Sequence, residues 1–307
     1  MTNTLIFILA GAFSTAIPLL LAAMGELVAE KSGVINLSIE GMMALGAAIA
    51  FMIAYQSGSH ALGFLGGGLA SVALSLIFST LVLVLNANQV ASGLAVGILG
   101  LGLSAFLARS FESLTIISLE KLDIPILTAL PLIGPVAFHQ DVVVYLGLGL
   151  AVALASFMSK TRGGLILRVV GEDPHIAHSL GFKVLRTRFL AISFGAAMAG
   201  LAGAYASTVL TPLWSDGMII GRGWIALALV VFGTWRVFRI LLGAYMFGLA
   251  LLADLAVQSL GIRIPSQLLT SAPYVMTIIV LTVVSKDALR IKLNAPISLG
   301  ENYKPSK

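Results

Sequence analysis

Arg168-Val-Val-Gly-Glu-Asp-Pro-His-Ile-Ala-His-Ser-Leu-Gly-Phe182 is a polar island in a chain that is otherwise almost continuously apolar. Asp173 is suited to an N-cap, because its carboxylate accepts hydrogen bonds from the unpaired N–H groups of a first helical turn. Pro174 suits the first helical position, where no N–H is missed, and Gly181 can close the helix with φ > 0. Glu172 and Asp173 also place negative charge at the positive end of the helix dipole. The stretch therefore predicts a short capped helix held at one side of a membrane, where another protein can push on it.

The rest of the chain supplies the membrane. Of 307 residues, 59% are hydrophobic and 10% charged, and the mean hydropathy is +1.04. Soluble domains carry about 25% charged residues, so the fold class is an all-α polytopic transmembrane helix bundle. The chain reads as a single transmembrane domain over 1–307, with a loop at 160–187 and a short tail at 286–307 that is too short to fold alone. A pI near 9.6 reflects topology rather than nucleic-acid binding, since Lys and Arg cluster between and after the apolar runs. No cysteine is present, which excludes disulfides and thiolate metal sites. The first basic residue, Lys31, follows a long apolar run, unlike the basic start of a cleaved signal peptide.

Apolar runs occur at about 4–25, 34–56, 61–85, 89–110, 141–159, 188–210, 223–236, 239–260 and 267–285. A span needs roughly 20 residues, so the 223–236 run has the length of a half-helix or re-entrant segment. With nine crossings, the 160–187 loop is cytoplasmic by its Lys160, Arg162, Arg168, Lys183 and Arg186. Alternation then places 14 of the 18 Lys and Arg inside and leaves Arg109, Lys121, Arg222 and Arg263 outside. The expected topology is N-terminus out and C-terminus in. Glycines at Gly93-x-x-x-Gly97 spacing read chiefly as helix-packing positions. Gly33–Gly41 and Gly221-Arg-Gly-Trp224 form a weak internal echo, each opening an apolar run.

Absences exclude most enzymes. There is no Gly-Lys dipeptide and hence no Walker A phosphate loop, no His-Glu-x-x-His and no Gly-x-Ser-x-Gly. No catalytic residue is expected. His175 and His178 share a helix face but have no placed third ligand, so they read as solvated and no metal site is expected. Polar groups within spans are the remaining signal, because they are costly in lipid and face a cavity or a partner. Asn36 and Glu40, spaced i,i+4, are expected on one helix face, and Glu26 and Glu30 repeat that spacing. Asn36, Glu40, Trp224 and Asp254 form the candidate substrate pathway. Satisfaction of a broken helix and interfacial anchoring by Trp214, Trp224 and Trp235 are the plainer readings of the same residues.

The segment Arg162-Gly-Gly…Arg168-x-x-Gly171-Glu172-Asp173-Pro174-x-x-Ala177-x-x-x-Gly181 resembles the coupling region of bacterial ABC importer permeases of the ribose and branched-chain amino acid type. The run Gly25-Glu26-Leu-Val-Ala-Glu30-Lys31-Ser-Gly33-Val-Ile-Asn36-Leu-Ser-Ile-Glu40-Gly41 is similar to the nucleoside and simple-sugar branch, in the shorter of two paired permeases. The resemblance covers about 15–285. It implies a type II importer-like bundle in the bacterial cytoplasmic membrane and a cytoplasmic ABC ATPase that binds and hydrolyses the ATP, with no cofactor held by this chain. It also implies a second, different permease and an extracytoplasmic binding protein or lipoprotein docking around 111–140 and 211–222. Residues 173–181 would sit in a groove on the ATPase, and the basic rim of Arg162, Arg168, Lys183 and Arg186 would face acidic groups there. The competing class is an ion-coupled secondary transporter in which Glu40 and Asp254 carry protons or sodium. A passive channel is disfavoured by the scattered carboxylates and the lack of a repeated pore motif.

Overall fold

The computed structural model describes residues 2–123, 133–252, 257, 271, 275–279, 282 and 294–304. Helices follow one another in the order α1 (Thr2–Lys31), α2 (Ile39–Ser57), α3 (His60–Ser79), α4 (Gln89–Ala108), α5 (Ile133–Ala137) and α6 (Val142–Lys160). They continue as α7 (Arg162–Glu172), α8 (Pro174–Ser179), α9 (Val184–Tyr205), α10 (Arg222–Phe232) and α11 (Val237–Leu251). A small antiparallel ribbon pairs β1 (Lys121–Asp123) with β2 (His139–Asp141). Among the described residues six helical stretches are long and apolar enough to cross a membrane, and α10 and α11 are shorter apolar helices.

The bundle is built around α9, which packs against α1, α2 and α3; α2 in turn packs against α4, and α10 and α11 lie on α1. Small residues make these approaches possible. A Cβ at Gly46 would lie 2.5 Å from the Gly200 Cα, so α2 and α9 touch backbone to backbone. The outer faces of α3, α4 and α6 carry exposed Leu65, Leu69, Ile98, Phe106 and Leu146. So much contiguous apolar surface belongs against lipid or another membrane subunit.

The two ends of the bundle differ. One carries α7, α8, the end of α1 and the start of α4, and most of the described Lys and Arg side chains. The other gathers the α2–α3 turn, residues 112–118 and the segment after Leu210. There His60 Nε2 meets the Ile117 carbonyl at 2.9 Å, the Ser118 hydroxyl donates to the Val209 carbonyl, and Thr115 bridges Leu213.

Two apolar runs are interrupted in ways their hydropathy does not reveal. In the 34–56 run the helix begins only at Ile39, so Gly33–Ser38 climbs into the bundle without helical bonds. Asn36 therefore lies in this connection, not on a face of α2 with Glu40. The 223–236 run holds an 11-residue helix, about 16 Å long, or half of a ~30 Å hydrocarbon core. The expected span at 239–260 is described as far as Leu252, and α11 occupies it to Leu251. Most of the 267–285 run and Asp254 lie outside the described residues.

Candidate functional site

The polar island folds as its local chemistry dictates. Thr161 ends α6 and starts α7, its hydroxyl accepting from the Gly164 N–H at 3.1 Å. The Asp173 carboxylate caps α8 by accepting from the His175 N–H at 2.8 Å and the Ile176 N–H at 3.0 Å. Gly181 turns the chain at φ 85°, with its N–H on the His178 carbonyl, while the Phe182 N–H reaches the Ala177 carbonyl. Pro174 and Ala177 face inward and are buried. His175, Ile176, His178 and Leu180 are left on an exposed surface, with Ile176 57% and Leu180 65% exposed. Ile176 and Leu180 thus form an exposed apolar pair on and just after the capped helix.

This surface is anchored to the spans at one close contact. A Cβ on Gly171 would lie 2.2 Å from the Lys31 carbonyl oxygen, so α7 presses its backbone directly on the end of α1. Glu172, Arg162 and Arg168 are exposed. Arg168 joins Lys31, Lys160 and Arg236 around a recess of about 530 Å³.

A second anchor lies in the C-terminal tail. Ser298 hydrogen-bonds the Gly171 carbonyl through both its N–H (3.0 Å) and its hydroxyl (2.7 Å). The Gly300 N–H reaches the Gly33 carbonyl, and the Asn302 amide reaches the Asn86 and Ala87 carbonyls. Arg188 is fully buried at the centre of this junction. Its guanidinium donates to the Ser32 carbonyl (3.1 Å), the Glu301 carbonyl (2.9 Å) and the Ser298 hydroxyl (3.3 Å). Tyr303 packs beneath α8, its ring centroid 5.2 Å from that of His175. The tail thus ties α7 and α8 to the α1–α2 connection, to α4 and to α9. Neither Arg188 nor the tail carries a local sequence sign of this junction, because the partners of both lie far away in sequence.

The candidate pathway residues meet deeper in the bundle. Asn36 turns its side chain to Ser38, accepting from the Ser38 N–H (3.1 Å) and hydroxyl, and its own N–H donates to Glu26 Oε1 (3.0 Å). It is buried and spent on the break before α2. Glu40, in the first turn of α2, accepts from the Gly221 N–H at 3.0 Å. Gly223 lies so close that a Cβ there would stand 2.5 Å from the Glu40 Cβ. The start of α2 thus holds the start of α10. Gly41 beside it abuts Gly97 and Gly100, roughly 12–16 Å along the ~30 Å length of α4. The two broken runs of the internal echo therefore meet near mid-membrane, with α2 running one way and α10 the other. α10 ends where the Trp235 indole N–H donates to Glu30 Oε2 at 2.6 Å, at the α7–α8 end. Trp224 sits in the first turn of α10, 50% exposed. Among the described residues no three His, Asp or Glu side chains gather as a metal site would require.

The bundle thus combines two interrupted helical runs with a capped surface helix at one end. The family model for the branched-chain amino acid transport system permease component matches residues 8–284. The chain belongs to that permease family. It is 36% identical to a putative glucose ABC transporter permease, TsgC13, of Haloferax volcanii, across 93% of each chain. It is 31% identical to the nucleoside ABC transporter permease NupC of Lactococcus lactis, across 99% of each. Against the guanosine ABC transporter permease NupQ of Bacillus subtilis it is 33% identical, across 87% of this chain and 88% of that one. No solved structure matches the chain. Permease subunits of this family lack an ATPase site of their own, in keeping with the missing phosphate loop.

Proposed function

We propose that this permease imports a nucleoside or simple sugar across a cytoplasmic membrane, driven by a separate ABC ATPase that grips α8. The observation that carries this reading is α8 itself. It is capped at both ends, exposes Ile176 with Leu180 just beyond it, and follows directly on α7, which is seated on α1 and tied to the tail at Gly171. A helix so held moves only if the spans move with it. Closure of the ATPase pair around ATP would push α8 and tilt α1, α2 and α9 between inward-open and outward-open states. On this reading the α7–α8 end is cytoplasmic, the opposite end faces a binding protein or lipoprotein, and a second permease completes the pathway. The Lys and Arg distribution fits, with the difference that Arg222, expected outside, lies beside Gly221 at mid-membrane depth. Glu40, Trp224 and Asp254 remain the proposed substrate-pathway residues, with Asn36 shaping the break before α2. The nucleoside and sugar lean follows the printed roles of TsgC13, NupC and NupQ.

The test is Asp173→Lys in the complex with its ATPase. Reversing the capping charge removes two hydrogen bonds and opposes the helix dipole, at about 1–2 kcal/mol locally. Hydrolysis should persist while ATP-driven uptake falls. Uptake at the wild-type rate, with hydrolysis unchanged, would sink the coupling role of α8.

A further inference from the structure

Residues 211–221 leave the end of α9 and descend without helical structure to the Glu40 carboxylate. This places irregular backbone within the membrane. The N–H groups of Ser215, Asp216 and Gly217 find no acceptor among the described residues. Beside them Ile220 is 68% exposed and Trp224 50%. Irregular backbone with free N–H groups is not tolerated against lipid; it is covered by protein or lines water.

The charges decide between these two. The Arg222 side chain makes no hydrogen bond or ion pair among the described residues, and its Nη1 is buried without a partner. Asp216, Arg109 and Glu112 are exposed around a recess of about 330 Å³ at the outer end, and among the described residues none of the three forms an ion pair. A tight protein interface would strip water from these three charges without pairing them, whereas an aqueous lining keeps them hydrated. A second, very small recess is bordered by Ser104, Ala44, Asp216 and Ile219, close in sequence to the Gly221 N–H that Glu40 accepts.

We propose that the 215–224 face lines the outer half of the solute path, with the Glu40–Gly221 contact as its floor, and that it receives an uncharged, hydroxyl-rich, ring-bearing solute. The inference rests on the permease reading above. Charges of both signs favour no ionic solute, free N–H donors and carboxylate acceptors suit hydroxyl groups, and the indole of Trp224 offers a face for a sugar or base ring. The opening step is separation of α10 from α2 at Glu40, which exposes the α10 N-terminus to the solute.

The chain has no cysteine, so one introduced thiol is the only one in this subunit. Ile220→Cys and Trp224→Cys, in the assembled complex in membranes, are treated with a charged, water-soluble methanethiosulfonate. Leu69→Cys, at a 69% exposed site midway along α3, serves as the lipid-facing reference, and co-purification with the ATPase confirms that each variant is folded and assembled. Labelling at 220 and 224 should be at least about tenfold faster than at 69, and saturating guanosine or glucose should slow it. Labelling at the reference rate with and without ATP means that lipid or the second permease covers this face, and overturns the proposal. Fast labelling indifferent to both solutes overturns the ligand class. Neither outcome touches the ATP requirement, which tests the permease reading separately.

Discussion

At the scale of single residues, the account turns on contacts too close to tolerate change. Gly171→Ala would drive a methyl into the Lys31 carbonyl, whose oxygen lies 2.2 Å from the built Cβ position. The expected cost is about 1–3 kcal/mol, as for other overpacked sites, seen as a lower unfolding temperature of the complex. Gly181→Ala meets open space but must hold φ 85°, so its cost should stay near 1 kcal/mol. Equal destabilisation by the two would contradict the direct seating of α7 on α1. Arg188→Lys keeps the charge but cannot reach three acceptors at once. Losing one charge-assisted bond should cost about 1.5–3 kcal/mol, checked by the same thermal measurement. The α8 cap was legible in the sequence because capping is local: Asp173 and Pro174 act on the first turn of the helix and Gly181 just past its last. Arg188 was opaque for the opposite reason. Its acceptors, Ser32, Ser298 and Glu301, are 110 or more residues away, and no local pattern marks a cation that will be buried by distant carbonyls.

At the scale of elements, the C-terminal tail is the least expected part. It holds α7, the α1–α2 connection and α4 through hydrogen bonds to carbonyls, the kind of contact that side-chain composition does not announce. Removing residues 294–307 should leave partner ATP hydrolysis largely intact and lower uptake per ATP by about tenfold, because α8 then moves without carrying the spans. An unchanged ratio of uptake to hydrolysis would show the tail to be dispensable for coupling. The two interrupted runs teach a related lesson. Hydropathy reported 34–56 and 223–236 as apolar, and they are. It does not report where backbone hydrogen bonding stops, which here depends on Asn36 bonding Ser38 and on Glu40 holding Gly221. The short length of the second run was the visible symptom. The echo between Gly33–Gly41 and Gly221–Trp224 was the only sign that the two breaks would meet.

At the scale of the whole molecule, the apolar runs and the uneven distribution of Lys and Arg made the bundle readable, since both reflect the bilayer rather than any particular neighbour. What composition leaves open is the energy source. Carboxylates such as Glu40 inside a bundle suit ion coupling as well as a structural joint, and only α8 argues for an external motor. The deciding measurement is uptake of guanosine and glucose into proteoliposomes carrying this chain with its second permease, ATPase and binding protein. Uptake of one of them should require internal ATP and the ATPase, and should survive a protonophore that abolishes the ion gradient. Accumulation by this chain alone under an ion gradient, lost on adding the protonophore and indifferent to ATP, would contradict the account.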